Sequence, residues 1–257
     1  MPQHASAIAV VPVPLDGLID APSSKSYFQR AIAAALLADG ESVLEGRGRC
    51  DDTRAALQVA EALGARVIIA GDLVTIRGGL APVRDEVSCG ESGLCIRMFT
   101  PIAALALTPV TLSAAGSLRS RPLTMLEEPL AALGARCAAT AGHAPVTVAG
   151  PLKGGAAAVD GSVSSQFLSG LLMALPRAPY DSTLTVTNLT SRPYVDMTLR
   201  VLRDFRVRVQ RRAGDIFGSS SRGQGARTIV LIARTVPQSR STTIYSTEEV
   251  EPSPSAP

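Results

Sequence analysis

The stretch APSSKSYFQRAIAAALL, residues 21–37, predicts a core helix with a polar, positively charged start. It opens with small hydroxyl residues around a lone lysine, Lys25, and continues as an almost unbroken apolar run. A helix that is apolar on all sides belongs in a protein core. The pair Ser26 and Gln29 fits a capping box at its start. The first turn of a helix carries unpaired N–H groups and partial positive charge, so this end suits an anion. An ordinary capped core helix with a solvated lysine is the alternative.

The composition is that of a folded, globular chain. Its 257 residues are 46% hydrophobic and 18% charged, which allows a sizeable core. The net charge of +3 is too small to indicate a nucleic-acid-binding protein by itself. Four cysteines without C-x-x-C spacing and only two histidines argue against a zinc site or a disulfide framework. They fit a protein of the reducing cytoplasm.

We expect neither a signal peptide nor a membrane span. The N-terminal residues lack a basic region and reach proline quickly. Residues 98–118 carry no charge, but Pro101 and Pro109 interrupt them. This pattern predicts a buried helix followed by a strand.

A sequence repeat runs through the chain. The segment EALGARV at 61–67 returns as AALGARC at 131–137, which puts Gly64 and Gly134 70 residues apart, and a weaker echo occupies 202–208. The predicted apolar helices are residues 25–38, 92–107 and 165–175, the predicted amphipathic helices are 52–63, 122–133 and 193–205, and the predicted strands include 8–13, 42–45, 66–70 and 73–77. Three copies of a helix–strand–helix–hairpin unit account for this recurrence. Chance reuse of a common helix ending is the alternative.

The repeat predicts an anion site. If three units pack around a pseudo-threefold axis, the apolar helices begin at one end of the domain. Their positive ends then converge on one surface. Arg97, Arg119 and Arg121 lie close to these helix starts in the sequence and offer planar donor pairs for carboxylate or phosphate. Taken singly, each arginine fits a solvated surface residue, but the three together favour a polyanionic ligand.

The region after residue 212 has a different character. Ser, Thr, Arg, Gly and Pro dominate and helical periodicity fades, which predicts irregular chain with 228–233 as its only strand-like segment. Its arginines make it basic. Aromatic side chains for base stacking are almost absent, so nucleic-acid binding is disfavoured.

Five sequence motifs together resemble the enolpyruvyl transferase family and, among its branches, the EPSP synthases. The motifs are SKS at 24–26 with Arg30, Gly93 with Arg97, LRSRP at 118–122, GSVSSQFLSGLL at 161–172 and SRPY at 191–194. The resemblance extends over about residues 14–212. Its most specific part is the Ser-Ser-Gln-Phe block.

The resemblance implies an α/β fold of two domains, each built from three βαβαββ repeats with buried helices and outer sheets. On this chain it predicts three parts. Residues 1–20 are a strand of an incomplete second domain, residues 21–212 are the three-repeat substrate-binding domain, and residues 213–257 are an irregular tail, disordered or out of frame.

The implied activity is transfer of an enolpyruvyl group from phosphoenolpyruvate to the 5-hydroxyl of shikimate 3-phosphate, with release of phosphate. This step belongs to the shikimate pathway, which leads to chorismate and the aromatic amino acids. The family implies no metal and no organic cofactor. Its partners are these two small molecules, with no nucleic acid and no membrane, and the complete protein is expected to be a cytoplasmic monomer.

The resemblance also implies residue roles. Lys25 is the catalytic residue and contacts both substrates. The residues implied for shikimate 3-phosphate are Lys25, Ser26, Arg30, Ser164, Ser165, Gln166, Ser191 and Tyr194. Those implied for phosphoenolpyruvate are Lys25, Gly93 and Arg121.

Two departures from the family pattern bear on activity. Where the family has Asn-Ala-Gly-Thr, this chain has Glu91-Ser92-Gly93-Leu94, which puts an anion-repelling carboxylate near the predicted site. The acid and base carboxylates of the family lie in the second domain, and nothing after residue 213 matches them. The carboxylates at 51–52 and 127–128 fit solvated helix positions better than catalytic ones.

Two alternatives follow from these departures. The first is a non-catalytic half-protein that binds shikimate 3-phosphate weakly or not at all, and we expect no phosphate release from this chain alone. The sister enzyme that acts on UDP-N-acetylglucosamine resembles it less. That enzyme has Asn after the lysine and a reactive Cys five residues before the Arg-Pro arginine, where this chain has Ser26 and Gly116.

Overall fold

A computed structural model describes residue 14 and residues 16–19, 21–46, 48, 50–213, 229–233 and 242–244. Within these residues the helices are α1 (Lys25–Leu37), α2 (Asp51–Ala62), α3 (Gly93–Ala103), α4 (Glu127–Ala132), α5 (Ser165–Ala174) and α6 (Arg192–Asp204). The strands are β1 (Glu41–Glu45), β2 (Arg66–Ala70), β3 (Leu73–Arg77), β4 (Glu86–Ser88), β5 (Val110–Ser113), β6 (Arg136–Thr140), β7 (His143–Ala149), β8 (Gly155–Asp160), β9 (Ser182–Thr187), β10 (Val209–Ala213), β11 (Ile229–Ala233) and β12 (Thr242–Ile244). The strand predicted at 8–13 lies outside the described residues.

The strands form three sheets of one design. Their orders are β12-β1-β3-β2, β4-β5-β7-β6 and β8-β9-β11-β10. Each sheet begins with a parallel pair and continues into an antiparallel hairpin. A parallel pair needs a crossover helix, and the second and third repeats supply α3 and α5. The predicted α/β fold of three βαβαββ repeats is therefore confirmed.

The first repeat takes its leading strand from far along the chain. Strand β12 pairs in parallel with β1, and Val43 lies opposite Thr243. This contact covers the edge that β1 would otherwise present to solvent. Strand β11, at the segment predicted as strand-like, completes the third sheet. The three-repeat unit thus extends beyond the boundary predicted at 212, and two segments of the predicted irregular tail are strands.

The apolar helices α1, α3 and α5 form the centre of the core, as predicted. Every residue of α3 is buried. Helices α3 and α5 pack closely because α5 has Gly170 at the contact, where a Cβ would lie 2.6 Å from the carbonyl oxygen of Met98. In the described part of the chain, no helix combines the length and apolar character required to cross a membrane.

The second amphipathic helix is shorter than predicted. Residues 124–126 form a 3-10 turn and the α-helix begins only at Glu127, so Pro122 does not start it. The backbone N–H of Leu123 bonds the carbonyl of Gly142 in the β6–β7 turn at 2.8 Å, which holds this segment outside the helix. In the third repeat the prediction is correct, because α6 begins at Arg192.

Each amphipathic helix ends in a left-handed residue. The φ angles are +113° at Gly64, +91° at Gly134 and +62° at Arg206. A residue of this conformation after the C-cap ends a helix by capping its last carbonyls. The weak echo at 202–208 is therefore a structural equivalent of the two Leu-Gly-Ala segments.

Candidate functional site

A cleft of about 370 Å³ opens where the three core helices begin. The residues that line it are Ser26, Arg30, Leu94, Arg97, Arg121, Gly161, Ser162, Val163, Ser164, Ser165, Gln166, Ser191 and Tyr194. They come from the starts of α1, α3, α5 and α6 and from two loops. Three arginines line the cleft, and none of the described acidic residues does. The predicted convergence of helix starts is confirmed.

Serine hydroxyls cap all three core helices. Ser24, Ser92 and Ser164 accept hydrogen bonds from the backbone N–H groups of Tyr27, Cys95 and Gln166 at 3.3, 3.3 and 3.2 Å. Each cap satisfies one donor of the first turn and leaves others for the cleft. The cleft therefore combines helix dipoles with full positive charges.

The capping box predicted for α1 is wrong in its residues. Ser24 is the N-cap, and Ser26 lies inside the first turn with its side chain at the cleft. Gln29 does not reach back to the cap. Its buried Oε1 accepts from Ser92 Oγ at 3.0 Å, which ties α1 to the start of α3.

Arg30 lies at the base of the cleft and is 1% exposed. Its Nε donates to Thr198 Oγ1 at 2.8 Å, Nη1 to the Ser26 carbonyl at 2.8 Å and Nη2 to Ser169 Oγ at 3.1 Å. Its Cζ lies 5.9 Å from the centre of the Tyr194 ring. Burial lowers the pKa of Arg30 to about 10. No ion pair to a described carboxylate compensates this buried charge, which favours an anionic ligand.

Arg97 and Arg121 bring two more positive charges together. Arg97 Nη1 donates to Gln166 Oε1 at 3.1 Å and Nη2 to the Pro122 carbonyl at 3.2 Å, while its buried Nε has no partner among the described residues. Burial and the charge of Arg121 lower the pKa of Arg97. A Cβ at Gly93 would lie 2.9 Å from Arg97 Nη1 and 3.4 Å from Arg121 Nη1, so glycine lets both approach.

The loop before α5 forms another wall. Asp160 Oδ1 accepts from the Ser162 backbone N–H at 2.9 Å and from Asn188 Nδ2 at 3.5 Å. These hydrogen bonds, of which those from Ser162 contribute most, lower the pKa of Asp160. They fix the turn that presents Ser164 at the start of α5.

Lys25 is not among the residues that line the cleft. Its Nζ lies 2.8 Å from Asp52 Oδ2, and this hydrogen bond raises the pKa of Lys25. The prediction that Asp52 is merely solvated is therefore wrong, since its side chain is 24% exposed and holds the lysine. Asp51 does fit that prediction, being 91% exposed and paired with Arg54.

Two further carboxylates have structural partners. Glu91 Oε2 accepts from the Ser117 backbone N–H at 3.1 Å and does not line the cleft, which removes it from the position expected to repel an anion. Glu127 Oε1 accepts from the Ala139 backbone N–H at 2.8 Å, so it is held against β6 rather than solvated.

Arg119 also lies outside the cleft lining. Among the described residues, no three His, Cys, Asp or Glu side chains are placed to hold a metal ion.

The structure thus brings together eight of the predicted site residues: Ser26, Arg30, Arg121, Ser164, Ser165, Gln166, Ser191 and Tyr194. Gly93 and Lys25 do not line the cleft: Gly93 adjoins Arg97 and Arg121, and Lys25 pairs with Asp52. The residue roles implied by the resemblance omitted Leu94, Arg97 and the loop residues 161–163, although Arg97 was predicted as one of three anion-binding arginines. The signal was present in the sequence, because Arg97 and residues 161–163 belong to the quoted motifs and Leu94 directly follows Gly93.

The family model described as EPSP synthase (3-phosphoshikimate 1-carboxyvinyltransferase) matches residues 11–230. The chain belongs to the EPSP synthase family. Relatives named 3-phosphoshikimate 1-carboxyvinyltransferase include those of Methanocorpusculum labreanum, 38% identical over 80% of this chain and 51% of the relative, and Natronomonas pharaonis, 40% identical over 84% and 50%. The solved EPSP synthase of Acinetobacter baumannii matches with a TM-score of 0.71 and 26% identity, over 89% of this chain and 49% of that one.

The chain spans about half the length of these family members. The names of the relatives are those of the shikimate 3-phosphate branch of the enolpyruvyl transferases. They favour that branch over the UDP-N-acetylglucosamine alternative, in agreement with Ser26 after the lysine.

Proposed function

We propose that this chain binds shikimate 3-phosphate and phosphoenolpyruvate and takes part in transferring the enolpyruvyl group from the second to the first, with release of phosphate. The charge of the cleft carries the proposal: three arginines line it and none of the described acidic residues does. Both substrates are phosphorylated carboxylates, which planar guanidinium groups and helix N-termini bind well. Membership of the EPSP synthase family supports the same reaction.

We assign the phosphate of shikimate 3-phosphate to the start of α5. Ser164 and Ser165 stand there, where free N–H groups and the helix dipole favour a phosphate. The amide of Gln166 is suited to the hydroxyls of the ring, because it both donates and accepts. Ser191 and Tyr194, at the start of α6, complete this side of the cleft.

Ser26 and Arg30 hold the same substrate from the side of α1. Arg30 uses one proton on each of Nε, Nη1 and Nη2 for its bonds within the protein. Each terminal nitrogen therefore retains one further N–H. These two donors suit an anionic group of the substrate.

Phosphoenolpyruvate is assigned to Gly93 and Arg121, with Arg97 beside them. Two neighbouring guanidinium groups repel each other until an anion lies between them. Lys25 contacts both substrates in this proposal, and its ammonium must exchange Asp52 for substrate to do so. Fixed donors of this kind stabilise the charge that gathers in the transition state. A cytoplasmic location and a monomeric state for the complete protein belong to the same proposal.

A binding function without turnover is the second candidate for this chain studied alone. The observation behind it is the lack of any cleft carboxylate, among the described residues, to act as acid or base. We expect a phosphate-release assay with both substrates to read zero for the isolated chain. Measurable turnover would contradict that expectation and leave the binding proposal intact.

The test is isothermal titration of the chain with shikimate 3-phosphate, with shikimate as the matched ligand that lacks the phosphate. We expect shikimate 3-phosphate to bind, and shikimate to bind at least about tenfold more weakly, because the phosphate makes charge-assisted bonds. Ser165→Ala should weaken the binding of shikimate 3-phosphate without lowering the melting temperature. Equal affinity for the two ligands, or no binding of either, would overturn the proposal.

A further inference from the structure

A layer of polar residues, which includes Arg30 at the base of the cleft, lies one helical turn after the cleft residues Ser26, Ser165 and Tyr194. Ser26, Ser165 and Tyr194 line the cleft, and the residues four positions later are Arg30, Ser169 and Thr198. Each of these donates to the backbone carbonyl of the cleft residue in its own helix. The distances are 2.8 Å for Arg30 Nη1, 2.9 Å for Ser169 Oγ and 2.9 Å for Thr198 Oγ1.

The three residues of this layer also contact one another across α1, α5 and α6. Arg30 Nε donates to Thr198 Oγ1 at 2.8 Å, Arg30 Nη2 donates to Ser169 Oγ at 3.1 Å, and the two hydroxyl oxygens lie 2.8 Å apart. Ser169 and Thr198 are 0% exposed and Arg30 is 1% exposed. The result is a closed triangle of side chains at the base of the cleft.

The guanidinium is the group that ties the triangle together. Each hydroxyl has a single proton, so the two protons cannot serve the two carbonyls and the hydroxyl pair at the same time. Arg30 supplies the further donors that both oxygens accept. Thr198 Oγ1 accepts a hydrogen bond from Arg30 Nε. This bond opposes rotation of the guanidinium plane.

We propose that Thr198, with Ser169, is a positioning residue that fixes the Arg30 guanidinium toward the cleft and sets the turn carrying Tyr194. This inference rests on the proposed binding of shikimate 3-phosphate. A planar fork binds an anion well only in the correct orientation. Loss of the Thr198 hydroxyl therefore weakens binding through Arg30, although Thr198 does not line the cleft.

Thr100 provides a matched control. It is 0% exposed, and its Oγ1 donates to the Ile96 carbonyl at 2.7 Å, the same four-residue bond within a core helix. That hydroxyl bonds no arginine among the described residues. Thr100→Val and Thr198→Val thus remove the same kind of helix bond, and only the second affects Arg30.

The experiment is titration with shikimate 3-phosphate of the wild type, Thr198→Val, Thr198→Ser and Thr100→Val, with melting temperatures alongside. We expect Thr198→Val to bind about tenfold more weakly, Thr198→Ser to stay within about threefold of wild type, and Thr100→Val to be unchanged. If Thr198→Val keeps wild-type affinity, or if Thr100→Val loses as much, the inference is wrong.

A ligand-free readout separates this inference from the proposed function. In nuclear magnetic resonance, the Arg30 Nε–H proton should exchange slowly with water in the wild type and in Thr100→Val, and rapidly in Thr198→Val. Failure of the wild type to bind shikimate 3-phosphate would overturn the proposed function. Slow exchange in Thr198→Val would overturn the positioning role. Should Thr198→Val not fold, Ser169→Ala gives the corresponding test at the Arg30 Nη2 protons, because Ser169 Oγ accepts from Nη2.

Discussion

Lys25 and Asp52 form an ion pair, with 2.8 Å between Lys25 Nζ and Asp52 Oδ2, and Lys25 does not line the cleft. The lysine stands at the start of α1, one residue before Ser26, which does line it. Asp52 therefore competes with any anion for the ammonium group. In the ligand-free chain, the ammonium group of Lys25, the proposed catalytic residue, is paired with Asp52.

Asp52→Asn should strengthen shikimate 3-phosphate binding about threefold, since it removes the competing charge from a partly exposed pair. Asp51→Asn is the control, because Asp51 is exposed and pairs with Arg54 instead. The measurement is titration calorimetry at low salt. In a Lys25→Ala background the gain should vanish. Weaker binding by Asp52→Asn would show that the carboxylate assists the site.

Arg121→Ala should weaken phosphoenolpyruvate binding about tenfold, measured by titration in the presence of shikimate 3-phosphate. Arg119→Ala is the matched control, two residues away and outside the cleft lining. Its affinity should equal that of the wild type. Equal losses from both substitutions would point to the overall charge of this segment rather than to a specific contact.

Gly64→Ala should cost more stability than Gly134→Ala, although the two glycines hold equivalent places in the repeat. Each substitution should lower the free energy of unfolding by about 1–2 kcal/mol, because alanine is unfavourable in the left-handed backbone conformation of these sites. At Gly64 a Cβ would also lie 2.5 Å from the Ala81 carbonyl oxygen, whereas at Gly134 it would meet the flexible Lys153 side chain at 3.1 Å. Denaturant unfolding should show a difference of at least about 1 kcal/mol. Equal costs would contradict the backbone packing at Gly64.

Stability should fall between about pH 9 and 12, in part through Cys137. Burial raises the pKa of its thiol from 9.0 to about 12. Above pH 9 the unfolded chain loses this proton while the folded chain keeps it, so deprotonation favours unfolding. Cys137→Ala should reduce the loss of unfolding free energy between pH 8 and pH 10 by about 1 kcal/mol. An unchanged pH dependence in the variant would show that this thiol titrates normally.

The repeat and the helix starts were predictable from the sequence because both depend on local signals. Hydroxyl residues before an apolar run mark α1, α3 and α5, and Gly64 and Gly134 mark helix ends through their left-handed backbone. The shared cleft followed from the threefold repeat alone. These features needed no knowledge of distant contacts.

Features that depend on distant partners were not predictable. Strand β12 joins β1 across about 200 residues, and its three-residue segment has no periodicity that would reveal the pairing. Asp52 looked like a solvated helix residue because its partner, Lys25, belongs to another helix. The triangle of Arg30, Ser169 and Thr198 was hidden for the same reason, since no spacing within one helix shows which buried hydroxyls meet.

The most direct test is a crystal structure of this chain with shikimate 3-phosphate bound. We expect the phosphate within hydrogen-bonding distance of Ser164 and Ser165 at the start of α5, with the rest of the molecule toward Gln166 and Arg30. Ligand density outside the shared cleft, or a phosphate held away from the helix starts, would contradict this expectation.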